Sequence, residues 1–100
     1  MADNLHNRSR YRNLVAVATR AIDSADPIGL VQMGAPADEY SPEVGTVVPR
    51  VSRASSAPEV RRILHEEFVH WFDESAGPEE NYASAALEIS EAVAAYNRAG

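Results

Sequence analysis

Apolar residues recur with the period of an amphipathic α-helix in four stretches of the chain. The first predicted helix ends near Ala25, because Pro27 disfavours helical geometry at Asp26 and Gly29 follows with turn chemistry. Residues 1–8, at the start of the chain, are interpreted as a flexible N-terminal arm. The apolar side of the helix consists of Tyr11, Leu14, Val17, Ala18, Ala21, Ile22 and Ala25.

Residues 26–40 are predicted to form a long loop, since two Pro and two Gly interrupt them. A connection of this length is uncommon in a small domain unless it is functional or packed onto the fold. Four apolar residues indicate that this loop is ordered and packs, namely Ile28, Leu30, Val31 and Met33.

A second helix is predicted to begin at Ser41, with the hydroxyl capping a backbone N–H and Pro42 at the first helical position. Pro49 is expected to kink this helix on its polar face. A strand over residues 45–51 is the competing interpretation, which Pro49 weakens. The apolar side of the helix would contain Val44, Val47, Val48 and Val51.

The third and fourth helices give the clearest patterns. Ser56 and Glu59 form a capping box at the start of the third, and Gly77 and Pro78 end that segment. Its apolar arc is Val60, Ile63, Leu64, Phe68, Trp71 and Phe72. The last helix has the core stripe Tyr82, Ala85, Ala86, Ile89, Ala92, Val93 and Tyr96. We therefore expect one domain over residues 1–100, an all-α bundle of about four helices with a long ordered loop between the first and second.

Composition narrows the chemistry. The chain has nine Arg, no Lys and no Cys, which excludes Schiff-base chemistry, thiolate nucleophiles and cysteine-ligated metals. No signal peptide is expected, because no apolar stretch follows the charged start. The longest apolar run, residues 14–18, is far below the roughly 20 residues that span a bilayer. A cytoplasmic protein without membrane contact is the expectation.

Nucleic acid is not an expected partner. Arg8, Arg10 and Arg12 surround Tyr11, an arrangement that single-strand binders use. However, residues 1–20 hold four Arg and one Asp, a net charge of +3, whereas residues 21–100 hold five Arg and fourteen acids, a net charge of −9. The field of the larger part repels phosphates.

Two histidines suggest a metal site, and their spacing rules out one class. His65 and His70 are five residues apart, about 140° around a helix, whereas a zinc-protease helix holds its histidines four apart. Glu67 and His70 form one Glu-x-x-His pair without a second. Glu67 projects into the apolar arc, so it is either an acid of raised pKa beside His70 or a carboxylate satisfied by an Arg, a Tyr hydroxyl or backbone N–H groups.

A candidate partner-binding surface lies along and beside the long loop. Aromatic and Met anchors rimmed by carboxylates suit a basic partner, because charge speeds association and the anchors slow release. The residues assigned to it are Asp26, Met33, Asp38, Glu39, Tyr40 and Glu43. The alternative is that Asp38 and Glu39 only solvate the loop, while Asp26 makes an Asx turn before Pro27.

The segments Asp26-Pro27-Ile28-Gly29 and Asp38-Glu39-Tyr40 resemble a group of small uncharacterised bacterial proteins with an Asp-Pro-Ile-Gly and a downstream Asp-Glu-Tyr. The match covers residues 26–43, and Ala25 stands where that group usually has Trp. The resemblance implies a compact helical domain and supplies no activity.

The sequence shows no nucleophile elbow and no phosphate-binding glycine loop, so neither an enzyme nor a cofactor is expected. The leading hypothesis is a protein-binding domain, most concretely an immunity or antitoxin protein that blocks a basic bacterial toxin with its acidic surface. One alternative is a metal-binding protein or enzyme that uses Glu67 and His70. Another is an oligomeric scaffold that uses Leu87, although a monomer is favoured.

Overall fold

The structure, a computed structural model, describes the backbone of residues 2–27, 29, 34, 40–54 and 56–98. Side chains are described from residue 10 onward in these ranges, Ser41 apart. The described residues form an all-α bundle, as the sequence predicts, with no strand among them. Its helices are α1 (Ala2–Ala25), α2 (Ser41–Val51), α3 (Ala57–Phe72) and α4 (Ala83–Arg98), with short 3-10 helices at Asp73–Ala76 and Glu79–Tyr82.

Helix α1 ends where the sequence predicts and begins earlier. Its last residue is Ala25, and the Asp26 N–H donates to the Ile22 carbonyl at 2.8 Å. At the other end the helix begins at Ala2, within the stretch that the sequence analysis assigns to an arm. The backbone of residues 2–8 is therefore helical. Residues 2–8 contain no helix-breaking residue, so they can extend a helix that tertiary packing stabilises from residue 14 onward.

Helix α2 is held by its four valines, all of which are buried as predicted. Pro49 lies inside the helix on the exposed face, and the alternative strand over residues 45–51 is wrong. The predicted cap is displaced by one residue, because Tyr40 and not Ser41 occupies the N-cap position. The Val44 N–H donates to the Tyr40 carbonyl at 3.0 Å, so the first turn closes through backbone atoms.

Helix α3 begins with the predicted cap, since the Ser56 hydroxyl accepts a hydrogen bond from the Glu59 N–H at 3.2 Å. Most of its apolar arc is buried: Val60, Ile63, Leu64 and Phe68. Trp71 departs from the prediction, because 42% of it is exposed and its Nε1 donates to Thr46 Oγ1 of α2 at 3.1 Å. The last turn of α3 is therefore at the edge of the core.

Helix α4 packs against both α1 and α3 and closes the core. The predicted stripe is confirmed: Tyr82, in the 3-10 helix just before α4, is buried together with Ala85, Ala86, Ile89 and Val93 of α4, and Ala92 and Tyr96 pack against them. Phe68 lies among three aromatic rings, 5.3 Å from Tyr82, 5.7 Å from Phe72 and 5.8 Å from Tyr40 between centroids. No helix in the described ranges is both long and apolar enough to cross a bilayer.

Candidate functional site

Half of the predicted partner-binding surface lies outside the described residues, namely Met33, Asp38 and Glu39. Two of the remaining members, Asp26 and Tyr40, are joined by a hydrogen bond between their side chains. Tyr40 is fully buried, and its hydroxyl donates to Asp26 Oδ1 at 2.6 Å. Asp26 itself is half-buried and has a φ of +45°. Tyr40 is predicted from sequence to be an anchor for a partner, but its ring packs on Phe68 inside this chain.

Glu43 is also placed differently from the prediction, because only 5% of it is exposed. The reason is helical phase: Glu43 precedes Val47 by one turn, so both side chains point to the core. The first turn of α2 suits a carboxylate, since the helix dipole is positive there. Neither Tyr40 nor Glu43 is available to a partner, so these two residues are removed from the expected surface.

The Glu67 carboxylate has a structural partner. Arg50 of α2 bridges two acids of α3, donating from Nη1 to Glu67 Oε2 and from Nη2 to Glu66 Oε1, each at 2.8 Å. The hydrogen bond from Arg50 lowers the pKa of the Glu66 carboxyl below its usual value. Satisfaction of Glu67 by an Arg, one of the two interpretations from sequence, is thus confirmed.

His70, the other half of the Glu-x-x-His pair, is exposed on α3. The described residues contain no group of three or more His, Cys, Asp or Glu side chains that could hold a metal ion. One oxygen of the Glu67 carboxylate, Oε2, is already occupied by the Arg50 guanidinium. No geometric observation in this region favours metal chemistry.

A surface that the sequence analysis does not single out lies where α3 ends. Val69 is 40% exposed on the side of α3 away from the core, and Phe72 is half-buried. Beside them is an open cleft of about 850 Å³. We call it the acidic cleft; it is lined by Val69, Phe72, Asp73, Glu74, Ser75 and Gly77.

One side of the acidic cleft is a tight turn that hydrogen bonds from the rest of the fold hold in place. Asp73 ends α3 with a φ of +51°, and its N–H donates to the Val69 carbonyl. The buried Tyr82 hydroxyl donates to the Ala76 carbonyl at 2.6 Å, and a His65 ring nitrogen lies 2.9 Å from the Gly77 carbonyl oxygen. Burial raises the pKa of Tyr82 to about 12, and the nearby Tyr40 adds to this, so the phenol keeps its proton. This side of the cleft is therefore pre-organised.

The charge of the acidic cleft is uncompensated along its lining. Asp73 and Glu74 are both exposed, and the described lining contains no basic residue. Neighbouring acids are already paired elsewhere, Glu66 with Arg50 and Glu79 with Arg61, the latter at 2.8 Å. A lining that combines apolar side chains with two exposed carboxylates fits a cationic group carried beside an apolar one.

The sequence held a signal for this surface. Val69 is an apolar residue outside the core arc of α3, and it precedes two acids by four and five positions. No family model, curated protein or solved structure matches the chain. The functional interpretation therefore depends on the geometry of the acidic cleft alone.

Proposed function

We propose that this protein is a non-enzymatic protein-binding domain that binds a basic protein partner through the acidic cleft. The most concrete form of the proposal is an immunity or antitoxin protein that blocks a basic bacterial toxin. The observation that carries it is the combination, in one cleft, of apolar Val69 and Phe72 with the exposed carboxylates of Asp73 and Glu74.

The apolar and the charged side chains of the cleft contribute to different steps of binding. Apolar side chains that a partner can desolvate provide the slow dissociation of a complex, and exposed carboxylates raise the rate of encounter with a cationic protein. The net charge of −6 adds a long-range attraction for such a partner. Occlusion of a positively charged surface needs no chemical step, which agrees with the absence of a recognisable catalytic motif in the sequence.

A designed peptide pair tests the proposal without knowledge of the natural partner. The probe is an amphipathic helical peptide with Leu on one face and Arg on the other, and its control carries Glu in place of every Arg. We expect the Arg peptide to shift the backbone amide NMR signals of residues 69–77, and we expect this effect to weaken with salt. The proposal fails if those signals stay unchanged, or if the Glu peptide shifts them equally.

Matched variants locate the binding. Asp73→Asn with Glu74→Gln removes two charges and retains side chains that suit the turn, since Asn tolerates a positive φ. Glu88→Gln with Glu91→Gln removes two exposed charges from α4. We expect about tenfold weaker peptide binding from the first pair and less than about twofold from the second. Equal losses from both pairs would indicate net charge rather than the acidic cleft.

A further inference from the structure

A second surface of opposite chemistry lies on α1 and α4. Tyr11 is 38% exposed and meets Tyr96 edge-on, with ring centroids 6.5 Å apart. The Arg10 guanidinium lies 6.0 Å from the centroid of the Tyr96 ring, and Arg12, the residue after Tyr11 in α1, is exposed. We call these four residues the tyrosine–arginine face. Tyr and Arg are the residue types that most often dominate the energy of protein interfaces.

This face and the acidic cleft lie at opposite ends of the bundle. Helix α4 follows the cleft region in the chain and runs back along α3. Residues of the first turn of α3 and the last turns of α4, among them Ala57 and Asn97, line a common cavity of about 380 Å³. Tyr96 therefore lies beside the start of α3, whereas the acidic cleft lies at its end.

The charges of the two ends are complementary. The tyrosine–arginine face carries the cations Arg10 and Arg12, and the acidic cleft carries the carboxylates of Asp73 and Glu74. An exposed tyrosine flanked by arginines presents an apolar ring next to cationic groups. This is the combination that the proposed function assigns to the acidic cleft, whose lining contains apolar Val69 and Phe72 together with Asp73 and Glu74.

We infer that a second copy of this chain occupies the acidic cleft, with its tyrosine–arginine face docked head to tail. The inference rests on the proposed function, because it makes self-association a regulator of the same binding site. A copy that occupies the cleft excludes a basic partner, so the partner and the second copy compete. Since the two surfaces differ, the contact is heterologous and leaves a cleft and a face open at the ends of each assembly.

Sedimentation velocity on the full chain tests this inference. We expect reversible association that grows from micromolar to millimolar protein at about 0.1 M salt, where a Debye length of about 10 Å screens the repulsion between two copies of net charge −6. Association should fall at least tenfold at about 0.5 M salt, where charges are screened beyond a few ångström. A chain that stays monomeric throughout at the lower salt concentration overturns the inference. If the Arg peptide still binds the acidic cleft of that monomer, the proposed function survives.

Variants with reversed charges distinguish this contact from non-specific association. Arg12→Glu alters only the tyrosine–arginine face, and Glu74→Arg alters only the acidic cleft. We expect each variant alone to be monomeric, because like charges then meet across the contact. A 1:1 mixture should associate as the unaltered chain does, because opposite charges again meet at every contact between the two variants. Failure of the mixture to associate contradicts the inference.

The double variant and a matched control complete the test. Carrying Arg12→Glu and Glu74→Arg in one chain restores opposite charges across the contact, and we expect association to return. Arg20→Glu changes another exposed arginine of α1 by the same charge and should associate as the unaltered chain does. Association that Arg20→Glu abolishes as completely as Arg12→Glu would overturn the assignment. Circular dichroism of each variant confirms that the helices are retained.

Discussion

Two turns of the molecule contain similar residues, but the acidic residues near one turn are buried and those at the other are exposed. The turn after α1 contains Asp26 at a φ of +45°, and the turn after α3 contains Asp73 at a φ of +51°. Each is fastened by a tyrosine hydroxyl over 2.6 Å, Tyr40 to the Asp26 carboxylate and Tyr82 to the Ala76 carbonyl. Both tyrosine rings pack on Phe68.

The two turns differ in whether the neighbouring acidic and apolar side chains point to the core or to solvent. Near the first turn, Glu43 is buried, whereas at the second Asp73, Glu74 and Val69 are exposed. A mixture of acids, aromatic rings and apolar residues therefore does not by itself identify a binding surface. The phase of the adjacent helix decides whether the mixture faces the core or a partner.

The largest predicted effect tests whether the two turns share one support. Phe68→Ala removes the ring that contacts Tyr40, Phe72 and Tyr82, and we expect the free energy of unfolding to fall by about 3–5 kcal/mol. Urea denaturation followed by circular dichroism measures this loss.

Two milder variants bracket that result. Phe68→Leu retains an apolar side chain and should cost about 1–2 kcal/mol, whereas Val69→Ala, at an exposed position, should cost less than about 1 kcal/mol. If Phe68→Ala costs no more than Val69→Ala, the two turns do not depend on a common core.

The second prediction compares the contributions of the Asp26 and Asp73 side chains to stability. Glycine relieves a positive φ, so Asp73→Gly should raise the free energy of unfolding by up to about 1 kcal/mol. Asp26→Gly gains the same backbone relief but removes the acceptor of the Tyr40 hydroxyl, a bond to a charged group of about 1.5–3 kcal/mol. We therefore expect a net destabilisation by Asp26→Gly.

Thermal and urea denaturation of both variants measure the contrast, and Tyr40→Phe provides the control. The Tyr40→Phe variant should lose more stability than Asp26→Gly, because it removes the same hydrogen bond without the backbone relief that glycine brings. Two glycine variants that change stability by the same amount and sign would show that the Asp26 side chain contributes nothing at the first turn.

Much of the fold was predictable, because burial on a helix repeats with its period. The valines of α2 and the core stripe of α4 are buried as their spacing indicates. Trp71 was not predictable in this way, since a projection down the helix axis ignores position along it. Its angle places it in the core arc, but the last turn of α3 reaches the edge of the core near Thr46.

The candidate site was less predictable than the fold. Periodicity held the signal for Glu43, one turn before Val47, but a charged residue in a loop-flanking segment favoured a surface interpretation. Nothing in the sequence marks Asp73 as the residue that ends α3, because Gly77 carries the stronger stop signal. The turn depends on Tyr82 and His65, whose contacts with backbone carbonyls six and twelve residues away follow from the folded geometry and not from a local sequence motif.

The smallest predicted effect concerns Arg50, which joins the helix after the first turn to the helix before the second. Arg50→Met removes both hydrogen bonds to Glu66 and Glu67, and because Arg50 and Glu66 are largely solvated we expect a loss of only about 0.5–1 kcal/mol near pH 7. The pKa of Glu66 is lowered in the folded protein, so its share of this stability is present above the unfolded pKa and disappears as pH falls through the folded pKa. Urea denaturation at pH 7 and at about pH 3 should therefore show a stability difference from the unaltered chain that is smaller in acid.

Arg53→Met, at another exposed arginine, should show little difference in stability from the unaltered chain at either pH. A loss from Arg50→Met that is equal at both pH values would mean that packing of the arginine stem, rather than its charge, connects the two turns.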